Sequence, residues 1–124
     1  MIIGVGVDSI EIARVARAAA NPRWQQRLFT TREREQIPVG PMAASRMASL
    51  FAGKEAVLKA FGTGLRGHSW QQIEVLHQPC GAPYIELSGQ AQLTATAQGI
   101  CRIHISLSHD TERAIAFCIA EGDK

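Results

Sequence analysis

Eight residues, Cys101 to Ser108, alternate apolar and polar without a break. Cys101, Ile103, Ile105 and Leu107 fall on one side, and Arg102, His104, Ser106 and Ser108 on the other. Successive side chains of a strand point to opposite faces, so this period of two predicts a β-strand buried on one face. Such a strand needs a neighbour to satisfy its backbone. Asp110-Thr111-Glu112 supplies a turn, and Ala114–Ala120 follows as an apolar run that reads as a strand buried on both faces. At the opposite end of the chain, Ile2, Ile3, Val5, Val7 and Ile10 predict a short buried strand over 2–10. The glycines within it allow close approach of another backbone.

Between these ends the apolar spacing turns helical. Ile12, Val15 and Ala19 predict a helix over Glu11–Ala20, and Asn21-Pro22 starts another, Asn as N-cap and Pro at N1, through Leu28. Thr31 begins a further short turn of helix, with Arg34 at the capping-box position that prefers Glu. After Pro38, Gly40 and Pro41, a long helix runs from about Met42 to Phe61 and stops at Gly62. Met47, Leu50, Phe51, Leu58 and Phe61 form its apolar stripe. Trp70 to Leu76 leads into a strand, Pro79 to Pro83 turns, Tyr84 to Leu87 returns, and Ser88 to Gln98 is a helix stopped by Gly99. This order predicts an α+β domain over 1–124, with helices packed on one face of a mostly antiparallel sheet.

Charge and cysteine usage narrow the function. The net charge is only +2, yet six arginines (Arg14, Arg17, Arg23, Arg27, Arg32, Arg34) lie between positions 14 and 34 against one acid, Glu33. Such a block suits an acidic partner or a solvated helix face. No Lys- or Arg-rich run with interleaved aromatics follows this block, which gives nucleic acid little support. Three cysteines without metal-ligand spacing read as small apolar fillers in a reducing compartment. The start of the chain lacks the basic lead of a signal peptide, and no apolar run approaches the ~20 residues of a membrane helix. The expectation is a cytoplasmic protein.

Several residues could carry chemistry. Asp8 lies in an apolar strand, where a carboxylate is costly unless it is paired or binds a cation. Glu55 and Lys59 are four apart on the long helix and share a face, as a surface ion pair or as site residues. Lys54 points elsewhere. Gly62-Thr63-Gly64 could hold phosphate oxygens on backbone N–H groups, or simply cap the helix. His104, Ser106 and Ser108 share one side of a strand with His109 at its end, but no nucleophile elbow accompanies them. An acid in a strand, a Glu/Lys helix face and a polar strand end together suggest a divalent metal and phosphate without naming a reaction.

Read together, the segments resemble one family. Gly6-Val7-Asp8-Ser9-Ile10-Glu11 with Arg14 is similar to the opening motif of holo-acyl-carrier-protein synthases. Phe51-Ala52-Gly53-Lys54-Glu55-Ala56-Val57-Leu58-Lys59-Ala60-Phe61-Gly62-Thr63-Gly64 resembles their second, most diagnostic block. Trp70–Val75, Gly81-Ala82-Pro83, Gly89-Gln90-Ala91 and His104–Asp110 follow in the expected order. The resemblance implies transfer of 4′-phosphopantetheine from coenzyme A to a serine of apo acyl carrier protein in fatty acid biosynthesis, with release of 3′,5′-ADP. It implies Mg²⁺ on Asp8 and Glu55, and Glu55 as general base, directly or through a metal-bound water. Lys59 would reach the phosphates and Gly62, Thr63 and Gly64 would line the nucleotide cleft. Pro83, Ser108 and His109 would contact coenzyme A, and Arg14 the acidic helix of the carrier protein. A homotrimer with sites between subunits is also implied.

This chain departs from the family pattern at two places. Leu50 stands where relatives often carry a basic residue, so one phosphate contact is either missing or supplied by Arg46 or Arg66. Cys80 stands where a polar residue is common. Three other readings compete: a non-catalytic module that binds coenzyme A or a carrier, a small nucleic-acid-binding domain, and the same transfer onto a polyketide or peptide-synthesis carrier. Retention of Asp8, Glu55 and Lys59 together weighs against the first.

Overall fold

The computed structural model describes residues 1–123. Its elements run β1 (Ile2–Glu11), α1 (Ile12–Ala19), α2 (Pro22–Leu28), α3 (Thr31–Glu35), α4 (Ala43–Phe61), β2 (Ile73–His77), β3 (Pro83–Leu87), α5 (Gly89–Ala97), β4 (Arg102–His109) and β5 (Arg113–Glu121). A single 3-10 turn, Trp70–Gln72, precedes β2. The class is α+β, and every strand pairing is antiparallel. The strands form two sheets rather than one: β1-β5-β4, and the hairpin β2-β3.

Small residues decide where α4 sits. Register pairs Gly6 with Cys118 and Asp8 with Ala116 on one side, and Leu107 with Ala116 and Ile105 with Cys118 on the other. One face of the large sheet is therefore floored by Gly4, Gly6, Ala114, Ala116, Cys118 and Ala120, and α4 lies directly on it. A Cβ at Gly6 would overlap the Ala56 carbonyl, and one at Gly4 the Ala60 carbonyl. Backbone meets backbone there, which only glycine permits. On the side facing away from the floor, α4 packs Val57 and Leu58 with Ile73, Ile85 and Leu87, so both sheets close on one helix.

This arrangement corrects two strand expectations. Neither β1 nor β5 is buried on both faces. In β5, Ala114, Ala116, Cys118 and Ala120 are buried, whereas Ile115 and Phe117 are each 44% exposed. In β1, Val5 and Val7 are also exposed. Alanine and glycine on the inner face had masked the period of two, because they count as neither plainly polar nor large.

The remaining elements follow local chemistry. Asn21 caps α2 by accepting from the Arg23 N–H, with Pro22 at the first position. The cap of α3 is Thr30, one residue earlier than expected. Glu33, not Arg34, thus takes the capping-box position, and its carboxylate accepts from the Thr30 N–H. Gly62 ends α4 with φ of 76°. Cys118 is buried as a filler, but Cys80 and Cys101 are exposed, contrary to expectation. Burial pushes the Cys118 thiol up to about 12. No helix among the described residues is long and apolar enough to cross a membrane.

Gly6→Ala should destabilise the fold by about 1–3 kcal/mol, because β1 and α4 must separate to admit the methyl group. Urea denaturation would measure it, and an unchanged midpoint would refute the close contact.

Candidate active site

Asp8 sits on the helix-facing side of β1, two residues beyond Gly6. The glycine contact brings this strand so close to α4 that the Asp8 side chain meets the helix surface. It is only 14% exposed, and Lys59 Nζ donates to its Oδ1 at 3.1 Å and to the Val7 carbonyl at 2.9 Å. Lys59 therefore pairs with Asp8, across to the strand, and not with Glu55 along its own helix. The surface-pair reading of Glu55–Lys59 is overturned.

Glu55 lies one helical turn before Lys59. With Asp8, Ser9, Ile10, Arg14, Trp24 and Phe51 it lines a cleft of about 350 Å³ between β1, α1 and α4. Burial holds the Glu55 carboxyl above the usual carboxylate range, and the neighbouring Asp8 charge adds to the shift. Lys59 and Arg14 act in the opposite sense. Two carboxylates thus share one half-enclosed space with two cations at its edges. Arg14, from the basic block, stands exposed at the cleft.

The donor set fits Mg²⁺, which takes one or two carboxylates and draws its other oxygens from substrate and water. Among the described residues, no group of three or more His, Cys, Asp or Glu gathers here or elsewhere. A closed transition-metal centre therefore has no ligands in them.

The other residues singled out lie apart. Arg46 and Pro83 line a second cleft of about 240 Å³ with His77, Ser49 and His109. Arg46 and Glu55 are nine residues apart on α4, or about 14 Å along the axis. Gly62 and Thr63 line a third cleft of about 450 Å³ with Arg66, His68 and Thr94, beyond the end of α4. Gly64, at φ of 61°, continues the same turn. Ser108 and His109 point to opposite faces of β4: Ser108 opposes the outward Ile115, and His109 the inward Ala114. Leu50 is fully buried in the core, while Arg46, one turn earlier, reaches the second cleft and donates to the Gln36 carbonyl at 3.1 Å.

Sequence reasoning missed the aromatic wall. Trp24 and Trp70 both set their rings edge-on to Phe51, with centroids 5.9 and 5.1 Å apart, and Trp24 does the same to Phe29. No spacing rule links residues on α2, α4 and the 3-10 turn, so only the fold brings them together. It also missed the partner of Lys54. A lysine amid the small and apolar residues of 47–61 was the available signal.

Fold and site define the class of protein. The chain belongs to the 4′-phosphopantetheinyl transferase superfamily, which it matches over residues 4–118. It is 49% identical to the holo-[acyl-carrier-protein] synthase of Alkaliphilus metalliredigens, over 97% of this chain and 99% of that one. Its fold is similar to that of the Neisseria meningitidis holo-[acyl-carrier-protein] synthase, with a TM-score of 0.89 and 31% identity over 98% and 99% of the two chains. The Bacillus anthracis holo-(acyl-carrier-protein) synthase, solved in complex with CoA (3′,5′-ADP), matches with a TM-score of 0.84 and 31% identity over 99% of each chain.

The shared cleft makes the two carboxyls electrostatically coupled. Asp8→Asn should lower the Glu55 pKa yet leave it above the usual range, because burial is the larger cause. Side-chain carboxyl NMR titration reads this directly, and an unmoved Glu55 would refute the coupling.

Proposed function

We propose that this protein transfers the 4′-phosphopantetheine group of coenzyme A to a serine of an apo acyl carrier protein, releasing 3′,5′-ADP. The observation that carries this reading is the pair Asp8 and Glu55 in one cleft, with Lys59 on Asp8, in a chain of this family. Asp8 and Glu55 would hold Mg²⁺, which when bound neutralises phosphate charge and orients the reacting groups. The serine oxygen forms a bond to the phosphorus bearing the pantetheine arm, and the bond from that phosphorus to 3′,5′-ADP breaks. Glu55 accepts the serine proton, directly or through a bound water. Lys59 is exposed enough to turn from Asp8 toward a phosphate oxygen. Arg14 lies where an acidic carrier helix would approach.

A homotrimer with composite sites accounts for two further observations. Val5, Val7, Ile115 and Phe117 form an exposed apolar patch on the sheet face away from α4. In one chain, Arg46, Pro83 and His109 line a cleft separate from that of Asp8 and Glu55. A neighbouring subunit seated on that sheet face would bring its Arg46, Pro83, Ser108 and His109 to the coenzyme A bound at Asp8, Lys59 and the Gly62–Gly64 turn. The setting is fatty acid biosynthesis in the cytoplasm.

Intact mass spectrometry of apo acyl carrier protein, incubated with the protein, coenzyme A and Mg²⁺, should show the gain of one phosphopantetheine. EDTA should abolish it, and Asp8→Ala or Glu55→Ala should each slow it by about 100-fold or more. Near-normal rates in either variant would refute the assignment. Mixing Glu55→Ala with His109→Ala chains should restore activity that neither has alone, because subunit exchange creates sites with both residues. No recovery on confirmed exchange would place both groups within one subunit.

A further inference from the structure

Lys54 and Glu33 form an ion pair with both side chains fully buried, at 2.8 Å, and neither touches the cleft. Lys54 Nζ also donates to the Trp70 carbonyl at 2.9 Å and the Ile73 carbonyl at 2.6 Å. Glu33 accepts in turn from the Val75 N–H at 2.8 Å and the Thr30 N–H at 3.0 Å. One ammonium thereby spends all three protons on fixed acceptors and ties α4 to α3, the 3-10 turn and β2.

Stability alone does not account for such a pair, since apolar residues of similar volume often serve as well or better. Its position suggests another use. Lys54 immediately precedes Glu55, so its side chain leaves α4 about 100° away around the axis. The Gly4 and Gly6 contacts seat the Ala56 and Ala60 side of α4 on β1. Lys54 adds a polar tether from another side of the same helix to α3, the 3-10 turn and β2. The groups it holds also carry the aromatic wall, because Trp70 and Phe29, adjacent to Thr30, abut Phe51 and Trp24 of the cleft.

We infer that Lys54 and Glu33 are positioning residues for the transfer, locking the rotation of α4 so that Glu55 and Phe51 face Asp8. The inference rests on the transferase reading above. It separates specificity of geometry from stability: charge removal that repairs stability should not repair catalysis.

The test compares wild type, Lys54→Met, Glu33→Gln and the double variant Glu33→Gln/Lys54→Met in denaturation, transfer kinetics and tryptophan emission. Lys54→Met should be the least stable, because it strands a buried carboxylate. The double variant, with no buried charge, should regain much of that stability. Its kcat should nevertheless stay down by about 100-fold, the cost of an ångström-scale misplacement, with KM for coenzyme A changed far less. Its emission should differ from wild type, since Trp24 and Trp70 both report on Phe51. A double variant with kcat and emission near wild type would overturn the inference. If Lys54→Met does not fold, Glu33→Gln and the double variant make the same comparison. Absence of transfer by wild type would instead defeat the transferase reading, leaving the emission comparison to judge the rotation.

Discussion

The close contact between β1 and α4 is the constraint from which the site follows. A helix packed on a sheet through ordinary side chains stands about 10 Å off it, the span of two side-chain layers. Here Gly4 and Gly6 remove one layer, and the Ala56 and Ala60 carbonyls take its place. Ala114, Ala116, Cys118 and Ala120 keep the floor low across the neighbouring strand. Asp8, the first residue on that face of β1 after Gly6 with a polar side chain, is thereby delivered to the surface of α4. A strand with larger residues at 4 and 6 would leave Asp8 short of Lys59.

Electrostatics then divides α4 into two charged zones with opposite surroundings. Lys54 is wholly inside, where burial pushes its pKa down and pushes Glu33 up, while mutual attraction pulls both back, helped at Glu33 by backbone hydrogen bonds from Val75 and Thr30. Lys59 is five residues on and half in solvent, where a pair is cheap to break. The difference matches what each can do. A buried lysine with every proton committed cannot respond to a ligand, whereas an exposed one can exchange Asp8 for a phosphate at small cost.

Much of this was legible beforehand. The ends of α2 and α4 were readable because Asn21-Pro22 and Gly62 act through local backbone geometry. The strand β4 was readable because its inner residues are large and its outer ones polar. The strand β5 was readable as a strand over Ala114–Ala120, but its one-sided burial was not, since alanine inside and Phe117 outside invert the usual contrast, and only the nearness of α4 explains the small residues. The cap of α3 was displaced by one residue because Thr30 and Thr31 are equivalent by type; the buried role of Glu33 chooses between them. Asp8, Glu55 and Lys59 stood out by position in their strand and helix, family motifs gave them and Arg14 their expected roles, and the pairing of Lys59 with Asp8 came from the structure alone. Spacing favoured Glu55 as the partner of Lys59, but a contact across to β1 has no sequence period.

The outward faces of β1 and β5 bear on the same economy. A sheet of three strands covered on one side by a helix normally turns polar residues outward, as β4 does with His104, Ser106 and Ser108. Valine and phenylalanine on the two adjoining strands break that pattern where β1 also presents Asp8 inward. The strand is thus constrained on both faces at once, glycine and aspartate toward α4 and valine away from it. If Val5 and Val7 seat a second copy, then the strand that fixes the carboxylate also fixes the neighbouring subunit. Assembly and catalytic geometry would then be set by alternate residues of one strand.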